Sequence, residues 1–122
     1  MTANKPSDEP KRISFTIFML VRTLPTWLLL RPEQRFDFLR NEINPILARH
    51  PKVAMRFFDC EAYNARVSDV IVWETASLEQ YQSLVEHLRE SRFWGTYFDI
   101  VEILPSLENA YAAHYNVSPV GM

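Results

Sequence analysis

The chain has 122 residues, enough for one domain that buries a hydrophobic core without disulfides or a structural metal. Hydrophobic residues make up 48% and charged residues 23%, as in globular proteins, and the net charge of -2 argues against a nucleic-acid-binding class. The single cysteine, Cys60, excludes an internal disulfide. One cysteine and three scattered histidines also argue against a zinc site.

The first 12 residues are polar and contain two prolines, which predicts a disordered tail over residues 1–12. An apolar run over residues 13–21 follows a basic pair, but acidic residues precede that pair and no small-residue cleavage site follows. The run is also too short to span a bilayer. We therefore expect a cytoplasmic protein that does not use a membrane as a partner.

Residues 13–24 are rich in β-branched and aromatic side chains and predict a first strand, which Pro25 ends. A helix is predicted to begin at Pro32, because proline suits the first helical turn. Four apolar residues recur at helical spacing on one face of this helix: Phe36, Leu39, Ile43 and Leu47. Pro45 lies inside the pattern and is expected to kink or locally open the helix.

Residues 53–63 and 67–75 predict a second and a third strand, with Asn64 and Ala65 as the turn of an antiparallel hairpin. Ser77, with Gln80 three residues later, has the pattern of a helix N-cap. An apolar stripe then follows at helical spacing: Leu78, Tyr81, Leu84, Val85 and Leu88. Residues 99–104 predict the fourth strand, with Pro105 expected to end it.

This order predicts an α+β fold of the ferredoxin-like type, βαββαβ, with a four-stranded antiparallel sheet and both helices on one face. Strands with one face in water should alternate apolar and polar residues. The first strand instead carries Ile17 and Met19 on one face and Phe18 and Leu20 on the other. The helices can cover one face only, so we expect the other face to bind a second copy in a homodimer.

Several segments closely resemble the darcynin family, whose function is unknown, and the resemblance covers residues 15–115. They are Phe18-Met19-Leu20-Val21, Arg56-Phe57-Phe58-Asp59, Arg66-Val67-Ser68-Asp69-Val70, Trp73-Glu74, Phe93-Trp94-Gly95, Tyr97-Phe98, Val101-Glu102-Ile103-Leu104-Pro105 and Glu108-Asn109-Ala110-Tyr111. The resemblance implies a dimeric α/β-barrel domain over residues 13–115, followed by a tail over 116–122. That wider group includes cofactor-free monooxygenases, lactone isomerases, polyketide cyclases and haem-dependent proteins, with pockets between the sheet and its helices.

The predicted hairpin concentrates charged residues beside apolar ones, and this is the pattern from which we assign candidate chemistry. Glu61 and Asp69 are the candidate acid–base residues, because a carboxylate beside aromatic walls tends to have a raised pKa. Arg56 and Arg66 are candidates for binding a substrate anion, and Tyr63 is a further candidate contact. Alternatively, these charges would pair across the strands or seal a dimer interface.

Four aromatic residues are candidates for the walls of a pocket that takes a flat, hydrophobic or aromatic ligand: Trp27, Trp73, Trp94 and Tyr97. Their alternative role is packing in the core or at an interface. Together these patterns favour a small cofactor-independent enzyme, an isomerase, cyclase or monooxygenase acting on an aromatic or polyketide-like compound, with no metal. The alternative is a non-catalytic small-molecule binding protein or regulatory dimer.

Overall fold

Four antiparallel strands form one sheet in a computed structural model that describes residues 13–121. The strands are β1 (Phe15–Thr23), β2 (Ala54–Asp59), β3 (Asp69–Thr75) and β4 (Phe98–Ser106), and their order across the sheet is β2-β3-β1-β4. This is the ferredoxin-like arrangement that the order of elements predicted. The predicted disordered tail, residues 1–12, lies outside the described residues.

Helical segments connect the strands and cover one face of the sheet: α1 (Pro25–Leu28), α2 (Pro32–Phe38), a π-helical turn (Leu39–Ile43), α3 (Asn44–Ala48) and α4 (Leu78–Glu90). A short helix, α5 (Ala110–His114), follows the last strand. Over residues 13–121, no helix combines the length and the apolar character needed to cross a bilayer. Ser77 caps α4 as predicted, since its side-chain oxygen accepts a hydrogen bond from the Gln80 N–H at 3.2 Å.

The π-helical turn follows from Pro45, which lacks the N–H that would bond the carbonyl four residues earlier and whose ring crowds that carbonyl. The expected local opening of the helix is therefore confirmed. The wider turn also shifts the buried side of the segment. Phe38 and Ile43, five residues apart, are both buried, whereas Phe36 is 60% exposed. The predicted placement of Phe36 on one face with Ile43 was wrong, because it assumed a regular helical repeat.

The face of the sheet that the helices cover, here called the inner face, carries the hydrophobic core. Its buried members from β1 and β3 pack against buried residues of the helices. They are Ile17, Met19, Val21, Ile71 and Trp73 from the strands, with Phe38, Ile43, Ile46, Leu84 and Leu88 from the helical layer. Alternation along each strand thus places the odd-numbered residues of β1 and β3 inside.

The opposite face of the sheet, here called the outer face, is not covered by α1 to α4. Its residues are Thr16, Phe18 and Leu20 of β1, Ala54, Arg56 and Phe58 of β2, Val70, Val72 and Glu74 of β3, and Glu102, Leu104 and Ser106 of β4. Phe58 and Leu104 are 43% and 41% exposed. The sheet therefore presents apolar side chains on both faces, as the sequence pattern predicted.

Two predicted boundaries were wrong. The second strand ends at Asp59, so Glu61 and Tyr63 lie in the connection over residues 60–68, which is longer than the predicted turn. Asn64 still shapes this connection, because its side-chain oxygen accepts hydrogen bonds from the backbone N–H groups of residues 66 and 67. Pro105 lies inside β4 rather than ending it, which is tolerated because β4 is an edge strand.

Candidate functional site

Three carboxylates meet at the end of the hairpin formed by β2 and β3, here called the carboxylate cluster: Asp59, Glu61 and Asp69. Asp59 lies directly opposite Asp69 in the register of the two strands. Glu61 follows in the turn after β2. One carboxylate oxygen from each of the three residues lies within 4.8 Å of the other two, so the fold holds three acidic groups close together.

Asp69 is the buried member of the carboxylate cluster, with 3% of its surface exposed. The Ser68 hydroxyl donates a hydrogen bond to its Oδ2 at 2.7 Å. Burial, together with the neighbouring Asp59 and Glu61 carboxyls, raises the pKa of Asp69 to about 6 against the opposing effect of the Ser68 hydrogen bond. Asp69 therefore titrates in a range where a side chain can both accept and release a proton.

Cys60 lies between Asp59 and Glu61 in sequence and shares their negative environment. Burial and the charges of the carboxylate cluster raise the pKa of its thiol. The thiol sulfur lies 3.4 Å from the carbonyl oxygen of Val67, to which it can donate a hydrogen bond. A thiol kept protonated in this way is a poor nucleophile.

Among residues 13–121, the carboxylate cluster is also the set of three or more His, Cys, Asp or Glu side chains whose donor atoms lie close enough together to bind one metal ion. Its ligands would be carboxylate oxygens, which suit hard cations such as Mg²⁺ or Ca²⁺. Zinc in proteins is held mainly by cysteine and histidine, so this donor set does not fit zinc.

An aromatic cluster packs where β1 leaves the sheet and β4 enters it: Trp27, Phe38, Tyr97 and Phe98. The ring of Trp27 lies 5.4 Å from that of Tyr97 and 5.0 Å from that of Phe98. The Leu24 N–H donates a hydrogen bond to the Tyr97 carbonyl at 2.9 Å and fixes the Trp27 loop to the chain before β4. These edge-to-face and tilted contacts are the geometry that aromatic rings favour.

A cavity of about 250 Å³ opens beside the aromatic cluster, between the π-helical turn and the loop before β4. Phe38 and Tyr97 form part of its wall. Arg92 lies over both rings, 5.6 Å from the Phe38 centroid and 5.4 Å from the Tyr97 centroid, and it forms an ion pair with Glu42. The cavity thus combines aromatic walls with a charged rim.

The aromatic cluster and the carboxylate cluster lie at the same end of the inner face. Val21 of β1 separates them, since it pairs with Asp69 on one side and with Ile100 of β4 on the other. Neighbouring strands are about 5 Å apart. A ligand that rests on the rings beside β4 would therefore have to cross β1 to reach the Asp69 carboxyl.

The remaining predicted site residues lie apart from this end of the inner face or at its margin. Trp73 is 2% exposed in the core, and its indole N–H has no hydrogen-bond partner in the described part of the chain. Trp94 is half-buried beneath the Arg89 guanidinium, which lies 5.4 Å from its ring. Arg56 lies on the outer face. Arg66 and Tyr63 are exposed on the connection that carries Glu61.

Sequence reasoning did not select Asp59, Phe38 or Arg92 as site candidates. Asp59 could have been found, because strand alternation and hairpin pairing place it beside Asp69 on one face. Phe38 could not, because its inward position depends on the π-helical turn. Arg92 reaches the cavity across a sequence separation of 50 residues from Glu42, which no local pattern indicates.

The fold and this geometry define a class: an α+β domain of the ferredoxin-like type with a carboxylate cluster and an aromatic cluster at one end of its helix-covered face. Solved structures with this fold include a mutant chlorite dismutase from Candidatus Nitrospira defluvii, with a TM-score of 0.68, 19% identity, and coverage of 81% of this chain and 42% of that chain. Another is chlorite dismutase from that organism in complex with imidazole, with a TM-score of 0.67, 13% identity, and coverage of 88% and 44%. This chain spans less than half the length of these solved chains.

The sequence relatives are more specific. A family model described as "Darcynin, domain of unknown function" matches residues 1–122. A darcynin homolog from Granulibacter bethesdensis is 50% identical over 115 residues, which cover 93% of this chain and 90% of the relative. A darcynin homolog from Streptomyces avermitilis is 45% identical over 106 residues, covering 86% and 88%. The chain belongs to the darcynin family, and the resemblance inferred from its segments is confirmed.

Proposed function

We propose that this chain is a small cofactor-independent enzyme that uses Asp69 for acid–base chemistry on an aromatic or polyketide-like small molecule. The observation that carries the proposal is the Asp69 carboxyl, 3% exposed and with its pKa raised to about 6. A group that titrates near neutral pH is well matched to both directions of proton transfer. Isomerisation, cyclisation and cofactor-free oxygenation each begin by removing a proton from an acidic carbon or hydroxyl.

The other members of the carboxylate cluster have distinct roles in this proposal. Asp59 lies beside Asp69, and its negative charge disfavours ionisation of the Asp69 carboxyl and so keeps the pKa of Asp69 high. Glu61 is exposed in the connection after β2 and would pass the proton between Asp69 and solvent. Arg66 and Tyr63, exposed on the same connection, would contact an anionic or hydroxyl group of the substrate.

The aromatic cluster supplies the proposed binding surface for the flat part of the ligand. Trp27 and Tyr97 contact each other, and Tyr97 also lines the neighbouring cavity of about 250 Å³. Pockets for small organic ligands commonly combine aromatic walls with a few charged groups. Trp94, half-buried and close to this loop in sequence, would extend the same surface, and Trp73 would support it from the core.

We further propose that two copies form a homodimer through the outer face and that the enzyme works in the cytoplasm, in specialised metabolism. The exposed apolar residues of the outer face support the dimer, because a face of this kind is typical of a protein interface. The lone Cys60 supports the compartment, since extracellular domains of this size commonly rely on disulfides.

A second candidate function is a non-catalytic small-molecule binding or regulatory dimer. The observation that favours it is a groove of about 400 Å³ on the outer face, which is larger than the cavity beside the aromatic cluster and lies away from the carboxylate cluster. A ligand bound there would contact Phe18, Phe58 and Val72 and meet no buried acid–base group.

The experiment is to incubate the purified chain with an extract of aromatic and polyketide metabolites, following retained mass by native mass spectrometry and product by liquid chromatography. For a converted substrate, Asp69→Asn should lower turnover about 100-fold or more while the ligand is still retained. Glu61→Gln should lower it less. Asp99→Asn changes a carboxylate on β4 whose side chain is 48% exposed; it is the matched control and should retain turnover.

Two results would count against the enzyme. Unchanged turnover in both Asp69→Asn and Glu61→Gln would remove the acid–base assignment. Saturable retention of a ligand with no product from any fraction would favour the binding protein instead.

A further inference from the structure

We propose that the cavity beside the aromatic cluster binds an aromatic α-amino acid in its zwitterionic form. Arg92 binds the carboxylate of this ligand, and Asp37 and Glu42 bind its ammonium group. The inference rests on the aromatic binding surface proposed above and goes beyond it by naming the class of ligand. It does not depend on the carboxylate cluster, so ligand binding and acid–base chemistry can fail separately.

The π-helical turn brings two carboxylates to this cavity. Asp37 and Glu42 are five residues apart, a spacing that places side chains about 140° apart around a regular α-helix. In the wider turn, residues five apart share a side, as the buried pair Phe38 and Ile43 shows. Asp37 and Glu42 accordingly both line the cavity. Turns of this kind are frequent at functional sites, and this one assembles a negative wall.

Arg92 is the one positively charged side chain among the described residues that line the cavity. Its guanidinium donates one hydrogen bond to the Tyr97 hydroxyl at 3.1 Å and one to the Glu42 carboxylate. A guanidinium carries five N–H groups, and the other three have no partner within residues 13–121. Because a guanidinium fork matches a carboxylate, Arg92 can bind a ligand carboxylate without releasing Glu42.

Both signs of charge face one small volume, and this favours a ligand that carries both. A ligand with a negative charge alone would meet Asp37 and Glu42, and one with a positive charge alone would meet Arg92. An α-amino acid carries its ammonium and carboxylate groups on one carbon and so satisfies both walls. Asp37 is paired with Arg40 at 2.9 Å, but exposed pairs of this kind are weak and leave the Asp37 carboxylate available.

The size and the apolar wall of the cavity indicate the side chain of the ligand. Its volume of about 250 Å³ lies just below the range of about 300–1,000 Å³ that is typical for drug-sized ligands, so it suits a molecule with one ring. Leu30, Phe38 and Tyr97 supply the apolar part of the wall. A ligand ring can pack against these two aromatic rings in the edge-to-face or offset geometry that such rings favour.

The test is isothermal titration calorimetry on the full chain with three probes that share one ring. L-Phenylalanine carries both charges, hydrocinnamate lacks the ammonium group, and phenethylamine lacks the carboxylate. L-Phenylalanine should bind about tenfold or more tightly than either of the other probes, because each of them loses a charge-assisted hydrogen bond.

Two variants assign the charges to their partners. Arg92→Gln should weaken the binding of L-phenylalanine about tenfold or more without weakening that of phenethylamine. Glu42→Gln should weaken L-phenylalanine without weakening hydrocinnamate. Arg22→Gln is the matched control, since Arg22 also forms an exposed ion pair, with Asp99 at 3.0 Å, and it should bind L-phenylalanine as wild type does. Circular dichroism checks that each variant is folded.

Equal affinity of L-phenylalanine and either single-charge probe would show that the assigned class of ligand is wrong. Wild-type affinity for L-phenylalanine in Arg92→Gln would overturn the role of the guanidinium. If none of the probes binds at about 10 mM, where a millimolar dissociation constant would give near saturation, this inference fails, while turnover in the metabolite extract still decides the enzyme. Binding of L-phenylalanine without conversion supports this inference and counts against acid–base chemistry on this ligand.

Discussion

Burial and like charge act together on the Asp69 carboxyl and set its proposed chemistry. The side chain is 3% exposed, and Asp59 lies opposite it across the hairpin. The ionised form loses solvation and faces a second carboxylate, while the Ser68 hydroxyl supplies a single compensating hydrogen bond. At the residue scale, the burial and like charge that raise the pKa of Asp69 should therefore also lower the free energy of unfolding of the protein when Asp69 is ionised.

The sign of this effect follows from the raised pKa. Asp69 changes from an ordinary value of 3.8 when unfolded to about 6 when folded, so the folded state binds more protons between these values. Stability contributed by Asp69 therefore falls as pH rises from about 4 to about 7. The Asp69→Asn variant does not have this titrating group. The difference between its free energy of unfolding and that of wild type should therefore increase by on the order of 2 kcal/mol as pH rises from about 4 to about 7.

Urea unfolding at a series of pH values measures this difference. Asp99→Asn removes an exposed carboxylate on β4 that pairs with Arg22, and it controls for the change in net charge. Exposed ion pairs contribute little, so the control should show no comparable rise. A flat difference between Asp69→Asn and wild type across the window would contradict the raised pKa.

At the element scale, the segment over residues 32–48 shows how one residue changes a whole face. Pro45 disrupts the regular hydrogen-bond ladder, and the preceding turn widens to accommodate it. As a result Phe38 enters the aromatic cluster and Phe36 stays in solvent. The proline predicts that the helix opens, but the width of the turn depends on contacts with the sheet and with the loop before β4.

The start of α4 provides the element-scale prediction. Ser77→Ala removes the side-chain acceptor of the Gln80 N–H and should lower the free energy of unfolding by about 1 kcal/mol. Ser77→Asn keeps an acceptor at the cap and serves as the matched variant, with a loss well below that of alanine. Chemical denaturation measures both. Equal losses in the two variants would show that the cap bond does not stabilise α4.

At the scale of the whole molecule, the sheet has two apolar faces and one layer of helices. The inner face contains the core and the proposed ligand site, and the outer face is proposed to join two copies. Leu104 tests this division because it is 41% exposed on the outer face and makes no part of the core. The helical layer offers an equally apolar comparison in Leu29, which is 83% exposed.

Leu104→Glu should raise the dimer dissociation constant at least about thirtyfold, the effect of losing an interface residue worth about 2 kcal/mol. Leu29→Glu should leave the dissociation constant unchanged. Sedimentation equilibrium measures both, and retained circular dichroism shows that the subunits stay folded. Equal affinities for Leu104→Glu and wild type would place the interface elsewhere on the molecule.

Local sequence determined the order of strands and helices, the cap at Ser77 and the two apolar faces of the sheet, because propensity, capping and alternation act over a few residues. It also pointed to Asp69 and Glu61, since both lie on one hairpin. Tertiary structure alone decided that Phe38 and Arg92 reach the cavity beside Tyr97, and that Trp73 belongs to the core. These arrangements depend on strand register and helix phase, which are settled by packing between segments far apart in the chain.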